Sequence, residues 1–263
     1  MTNEIYNEVR FLKKVFFSFF TFQLVATRNS ERKTIEQKSS NIDLVTETDE
    51  QVEKLLIEGI RKKFPDHEFI GEEDSCDGKK AVLTDAPTWI IDPVDGTMNF
   101  VHSFPHSAIS VALLVKKVAE IGIVYNPVLG QKFTARRGQG AFLNGNQIHV
   151  SGEKELSKAL LTTEFGTSRE EEKTKVVLEN ITKLVRMAHG FRSLGAAALN
   201  ICMVACGGAD AYYEFGIHAW GSRDGLRRKF YLWLIIYFFQ ITPLVSLLLE
   251  KLVVILAILL ADH

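Results

Sequence analysis

The segment that decides the fold reads Trp89-Ile-Ile-Asp-Pro-Val-Asp-Gly-Thr-Met-Asn-Phe-Val-His102. Its first three residues are apolar and predict the end of a buried strand. Asp92 and Asp95 are expected to emerge at that strand end, where Pro93 turns the chain. Two carboxylates on such a turn can converge on one hard cation, because Mg²⁺ and Ca²⁺ prefer oxygen ligands.

Gly96 and Thr97 follow the two aspartates. A glycine lets the backbone approach a ligand closely, and the N–H groups after it can bind an anion. A metal site beside an anion-binding turn is suited to phosphoester hydrolysis. An ordinary turn is the alternative for so short a motif. In that case Asp92 would act as a cap, and Asp95 and Gly96 would supply turn chemistry.

The composition limits the class of partner and the compartment. The chain has 263 residues, of which 46% are hydrophobic, enough for one large domain or two small ones. Lys and Arg number 31 against 32 Asp and Glu, so no overall basic field suggests a nucleic-acid partner. Three cysteines, Cys76, Cys202 and Cys206, favour a reducing, cytoplasmic location over a disulfide framework. Cys202 and Cys206 lie four apart on a predicted helix and are expected to be residues of the protein core.

Hydrophobic periodicity predicts helices and strands on both sides of the motif. Thr48 and Gln51 fit a capping box at the start of a helix that ends near Phe64. A short strand at 67–70 then delivers Glu72 to its end. Further elements are predicted as strands at 108–115, 120–125, 131–136, 158–163 and 209–214, and as helices at 168–186 and 195–206. This alternation, with long antiparallel runs, indicates a layered α/β or α+β domain.

The full run from Trp89 to His102 resembles the signature of the inositol monophosphatase family, within the lithium-sensitive, magnesium-dependent phosphatases. The resemblance extends from about Ser39 to Trp220. It implies a layered α/β (α+β) sandwich of the sugar-phosphatase type over residues 31–221, typically dimeric, that hydrolyses inositol monophosphate with a metal-activated water. Nucleotide 3′-phosphatases and fructose bisphosphatases share the core of the motif and remain alternatives, although the flanking residues and Glu214 favour the inositol branch.

The resemblance also implies roles for individual residues. Mg²⁺ would be held by the carboxylates of Glu72, Asp92 and Asp95 and by the carbonyl oxygen of Val94. Glu72 and Thr97 would orient the attacking water. Taken alone, Glu72 would more simply be a solvated acid; its pairing with the motif nineteen residues later favours the metal role.

The remaining implied residues support Thr97 or contact the substrate. Asp49 would support Thr97, and its simpler role is a favourable charge at a helix N-terminus. Glu214 would accept a hydrogen bond from an inositol hydroxyl, and its simpler role is a surface residue at a strand end. The substrate would lie against a set of backbone and side-chain groups from three segments: Asp95, Gly96, Thr97, Gly195, Ala196, Ala197 and Glu214.

Both ends of the chain depart from the resemblance. Residues 1–30 match the family's first helix poorly, and are expected to form a buried or surface helix or a targeting segment. The family continues after the tryptophan that matches Trp220 with a metal-binding aspartate. This chain has Gly221 there, and Asp224 three residues further on. Because glycine supplies no ligand, impaired turnover is expected.

Residues 222–263 form a hydrophobic tail. Twenty uncharged residues, 230–249, follow a basic cluster at 227–229, and residues 252–261 are apolar again. We therefore expect the C-terminal layer of the family fold to be incomplete or replaced, and residues 230–261 to contact a membrane or fold poorly. A catalytically impaired isoform that acts as a binding or membrane-tethered partner is the alternative from a different functional class.

Overall fold

The computed structural model of the chain describes residues 35–40, 43–72, 82–166 and 169–214, with side chains from Glu47 onward. The predictions for segments 1–30 and 222–263, and for the positions of Cys76, Gly221 and Asp224, lie outside these residues. Within the described ranges, no helix is both long and apolar enough to cross a membrane.

A seven-stranded sheet forms the larger layer of the described structure, in the strand order β3-β4-β5-β6-β7-β8-β9. Its first two strands are parallel, and every other neighbouring pair is antiparallel. The strands are β3 (Glu68–Gly71), β4 (Thr88–Asp95), β5 (Ala108–Val115), β6 (Val118–Asn126), β7 (Gln131–Arg136), β8 (Gly140–Leu143) and β9 (Asn146–Ile148).

Two smaller sheets and four helices complete the part of the chain that the structure describes. An antiparallel pair precedes the larger sheet: β1 (Ile35–Ser40) and β2 (Asp43–Thr46). A parallel three-stranded sheet in the order β11-β10-β12 follows it: β10 (Leu160–Thr163), β11 (Gly190–Arg192) and β12 (Ala211–Tyr213). The helices are α1 (Glu47–Arg61), α2 (Thr97–Val101), α3 (Glu171–Val185) and α4 (Ala197–Ala205).

Helix α1 covers one face of the large sheet. Val52, Leu56 and Ile60 recur at helical spacing and are buried against β4, β5 and β6. Each such side chain contributes roughly 1.5–3 kcal/mol when fully buried. The predicted capping box is wrong, because α1 begins at Glu47 and so places Thr48 inside the first turn. Thr48 is buried there, one helical repeat before Val52 on the face towards the sheet.

Helix α4 lies between the two main sheets. It contacts β5 and β6 of the large sheet and β12 of the small one. Leu199 and Cys202 pack against Phe133 of the large sheet, while Leu184 of α3 packs on the small sheet. Cys202 is buried, and the half-buried Cys206 packs against the same cluster as Cys202. The predicted layered sandwich is therefore confirmed, with the order α1, large sheet, α4, small sheet, α3.

The predicted turn at Pro93 is wrong in one respect. Strand β4 does not end at Asp92 but continues through Pro93 to Asp95, with a register shift against β5 between the two aspartates. A β-bulge tolerates proline because the ladder at that point needs no N–H donor. A smaller error concerns the strand predicted at 158–163, which begins at Leu160 after a 3₁₀ turn at Leu156–Lys158.

Candidate active site

The bulge at the end of β4 fixes Asp92 and Val94. Asp92 is only 5% exposed, and its Oδ1 accepts the backbone N–H of Val94 at 3.1 Å. The Val94 carbonyl oxygen in turn accepts from the Thr97 hydroxyl at 3.0 Å. A carbonyl oxygen has two lone pairs, so that of Val94 can still accept a second partner. The bulged end of β4 thus presents a carboxylate and a carbonyl oxygen from residues two positions apart.

Thr97 joins the motif to helix α1. Its Oγ1 lies 3.0 Å from the Val94 oxygen and 3.3 Å from Oδ1 of Asp49, so a single hydroxyl proton serves either acceptor. Asp49 is only 1% exposed. The structure therefore brings Asp49 to Thr97, and the role of this pair in orienting water stays a prediction.

Gly96 occupies a position where any side chain would clash with neighbouring atoms. Its φ of +83° lies in the left-handed region, at the N-cap of α2. A Cβ at this position would lie 3.0 Å from both the Ala196 Cβ and the Gly195 carbonyl oxygen, and 3.1 Å from the His106 carbonyl oxygen. Gly195 itself has a φ of +81°. The segments 96–97 and 195–197, predicted to share one site, therefore lie in direct contact.

Asp95 binds the start of helix α4. Its Oδ2 accepts the Ala198 N–H at 2.8 Å, and the Ala197 N–H also hydrogen-bonds to the carboxylate. N–H groups of the first helical turn have no partner within the helix, so Asp95 satisfies these two, at an end where the helix dipole favours negative charge. Part of the Asp95 residue remains exposed, while its carboxylate lies deep among protein atoms.

Acidic groups from different elements act on one another across this site. Burial raises the pKa of Asp95 to about 7; the two backbone N–H donors oppose that rise, and the charges of Glu214 and Glu72 add to it. Glu214 directly follows β12. Burial raises its pKa to about 7 as well, opposed by the Tyr212 hydroxyl that donates to it and reinforced by Glu164. Two predicted site acids, Glu72 and Glu214, are thus each close enough to Asp95 to disfavour its charged form.

The donor set fits a divalent cation in its chemistry. The charges of Glu72 and Glu214 help to raise the pKa of Asp95, and a hard cation would offset such repulsion; all the predicted ligands are oxygens. Among the described side chains, no group of three or more His, Cys, Asp or Glu residues stands close enough together to hold a metal ion. The assignment of Glu72, Asp92, Val94 and Asp95 as ligands therefore stays a prediction.

Two residues that the sequence did not single out as site residues connect these segments. Glu164 follows β10 and accepts the N–H groups of Leu194 and Gly195. Asn99, inside the opening motif, donates to the Leu194 carbonyl oxygen. A sequence signal for Glu164 did exist, because it is an acid directly after an apolar strand, as Glu72 is. For Asn99 the sequence gave no signal of this contact, because the Leu194 carbonyl oxygen lies 95 residues away.

Comparison with known proteins identifies this arrangement. A sequence model of the Inositol monophosphatase family matches residues 18–221, more than half of the chain. The chain belongs to the inositol monophosphatase family. The predicted family is confirmed, and the match includes every residue of the site described above.

Individual family members agree with this result. The chain is 55% identical to human inositol monophosphatase 1 over 184 residues, which are 70% of this chain and 66% of the relative. The chain thus spans slightly less than two thirds of the length of that protein. Among solved structures, inositol monophosphatase from Anabaena is 29% identical with a TM-score of 0.67, over 82% of this chain and 78% of that one.

A third comparison concerns the fold alone. An IMPase/NADP phosphatase whose structure holds Mg²⁺ and phosphate superposes with a TM-score of 0.70, over 90% of this chain and 82% of that one, at 23% identity. The predicted sugar-phosphatase-type sandwich is confirmed by these superpositions.

Proposed function

We propose that this chain hydrolyses inositol monophosphate to free inositol and phosphate in a metal-dependent reaction. One observation carries the proposal. Asp95, at the end of β4, hydrogen-bonds to the first turn of α4 and lies within electrostatic reach of Glu72 and Glu214. Membership of the inositol monophosphatase family supports the substrate, and the oxygen-rich donor set supports Mg²⁺ as the metal.

The residues of the chain have separable tasks in this reaction. Glu72, Asp92, Asp95 and the Val94 carbonyl would hold the metal, which when bound supplies a water activated for attack and offsets phosphate charge. Thr97, whose hydroxyl donates to Asp49 or to the Val94 oxygen, would accept a hydrogen bond from that water.

Substrate binding falls to the groups around the Gly96 turn. The exposed backbone of Gly195 lies beside Gly96, and the backbone groups of these two glycines would approach the phosphoester. Glu214 would accept a hydrogen bond from an inositol hydroxyl, and the Tyr212 hydroxyl, which donates to Glu214, would help to orient it.

We also propose that turnover is slow, because the chain has Gly221 where the family has a metal-binding aspartate. A substrate panel tests the proposed function. Phosphate release from inositol 1-phosphate, fructose 1,6-bisphosphate and adenosine 3′,5′-bisphosphate is measured with Mg²⁺ and with EDTA. Release from inositol 1-phosphate above the other two, abolished by EDTA, is expected. Preference for either of the others, or release that EDTA leaves unchanged, contradicts the proposal.

Homodimerisation, a cytoplasmic location and membrane contact through residues 230–261 are further proposals, supported by the family and by the apolar tail. Fractionation of the full chain beside a chain ending at Trp220, with a carbonate wash, tests them. We expect the full chain in the membrane pellet and the shorter chain in the supernatant as a dimer. A full chain that stays soluble and monomeric without detergent contradicts both membrane contact and dimerisation.

A further inference from the structure

The segment Ser193–Ala196, called here the substrate loop, precedes α4 and carries the backbone groups proposed to face inositol. It is short, and Gly195 in it is exposed. A loop of this kind needs external hydrogen bonds to hold one conformation, because its own backbone forms no ladder at these residues.

One carboxylate supplies those bonds on one side of the loop. Oε1 of Glu164 accepts the Leu194 N–H at 2.7 Å, the Gly195 N–H at 2.6 Å and the Asn200 side-chain amide at 2.7 Å. Its Oε2 accepts the Ser193 hydroxyl at 2.9 Å. Hydrogen bonds to an ionised acceptor are about twice as strong as neutral ones. Glu164 therefore ties the loop to β10 and to α4 at once.

The opposite side of the loop is held from the aspartate motif. The Asn99 side-chain amide donates to the Leu194 carbonyl oxygen at 2.6 Å and to the His106 carbonyl oxygen at 2.7 Å. A Cβ at Gly195 would lie 2.8 Å from the Asn99 side-chain amide, so the two are in close contact. The N–H of Leu194 thus points to Glu164, and its carbonyl oxygen points to Asn99.

We propose that Glu164 is a positioning residue for substrate binding: it holds the substrate loop in the conformation that presents Gly195 beside Gly96. This inference rests on the proposed function for its substrate and goes beyond it in assigning Glu164. The four hydrogen bonds of Glu164 go to the substrate loop and to Asn200 of α4, so we assign it a role that acts through the loop. Its loss weakens substrate binding, while metal affinity and the chemical step are largely retained.

The test compares Glu164→Ala, Glu164→Gln and Glu179→Ala in the full chain. Glutamine keeps one acceptor oxygen without the charge, and so is the conservative rescue. Glu179 is an exposed acid on α3 and is the matched control. Each variant is measured for amide hydrogen exchange in the peptide 190–200, for KM and kcat with inositol 1-phosphate, and for its thermal midpoint.

For Glu164→Ala we expect exchange at Leu194 and Gly195 to accelerate about tenfold or more, and KM to rise by about the same factor. Its kcat and Mg²⁺ dependence should change less than about threefold. Glu164→Gln should lie between parent and alanine variant, and Glu179→Ala should match the parent.

Unchanged exchange in Glu164→Ala overturns the inference, as does faster exchange with an unaltered KM. If the parent releases no phosphate from inositol 1-phosphate, the proposed function fails. The exchange measurement still decides whether Glu164 holds the loop: faster exchange confined to residues 193–196, at an unchanged thermal midpoint, supports it, and equal exchange overturns it.

Discussion

The carboxylate of Asp95 accepts the backbone N–H of Ala198 at 2.8 Å, a contact between residues 103 positions apart in the chain. It joins the end of a central strand to the first turn of the helix that lies between the two sheets. Because the helix N-terminus favours a negative charge, this contact stabilises the ionised form of Asp95, which the acidic neighbours Glu72 and Glu214 disfavour. The fold and the candidate active site thus depend on the same hydrogen bond.

Gly96→Ala is expected to destabilise the chain and to remove activity. The new methyl group would lie 3.0 Å from Ala196 and from the Gly195 oxygen, at a φ of +83°. We expect a loss of about 1–3 kcal/mol in the free energy of unfolding, measured by urea titration. Gly138→Ala is the control, because Gly138 has a φ of +69° but nothing within 4 Å of its Cβ position. Equal losses in the two variants would show that close packing at Gly96 is unimportant.

The pH dependence of stability should include a contribution from His67. The Trp89 indole donates to His67 Nδ1 at 2.9 Å, which requires that nitrogen to be unprotonated. Burial lowers the pKa of His67 from 6.5, against the opposing charge of Asp66. The unfolded chain then binds the proton more readily, so stability is full above about pH 6.5 and falls as the pH drops through that value.

His67→Gln removes this titration, and its urea midpoint should change less between about pH 8 and pH 5.5 than that of the parent. The measurement is a set of urea titrations at both pH values. An identical change in parent and variant would mean that His67 is not coupled to folding.

Glu72→Gln is expected to lower kcat more than it raises KM. Glu72 directly follows β3, and its charge acts on Asp95, so its predicted work with metal and water is expressed in the transition state. Steady-state kinetics with inositol 1-phosphate measure the two constants, with the exposed Glu171→Gln as the matched control. A raised KM with an unchanged kcat would instead make Glu72 a residue of ground-state binding.

Gly221→Asp is expected to raise turnover by a factor on the order of 10²–10³, because it supplies the metal-binding carboxylate that the resemblance implies after Trp220. Gly221→Asn supplies similar volume without the charge and should gain far less. Phosphate release at saturating Mg²⁺ compares the three chains. Equal rates in all of them would show that Asp224 or another group already takes the place of the missing ligand.

Periodic patterns predicted most of the elements, because amphipathic spacing follows directly from burial on one face. The strands at Ala108–Val115 and Gln131–Arg136 coincide with their predicted ranges. The bulge at Pro93 could not be predicted, because it depends on the register of β4 against β5, which is a tertiary property.

In the site, too, local features could be predicted from the sequence and tertiary contacts could not. Asp92, Asp95 and Thr97 stand in one motif and could be read from spacing and resemblance. Glu164 and Asn99 act through backbone groups about 30 and 95 residues away, and these contacts exist only once the sheets are assembled.

The most direct test of the account is Mg²⁺-dependent phosphate release from inositol 1-phosphate by the parent, Asp92→Asn and Asp95→Asn. Asparagine keeps an oxygen that can accept from Val94 or Ala198, so both variants should fold as the parent does. It removes the charge that a hard cation needs. We predict that the parent releases phosphate only with Mg²⁺ and that neither variant does so measurably. Variants that hydrolyse the substrate at the parental rate, with the same Mg²⁺ dependence, would contradict the account.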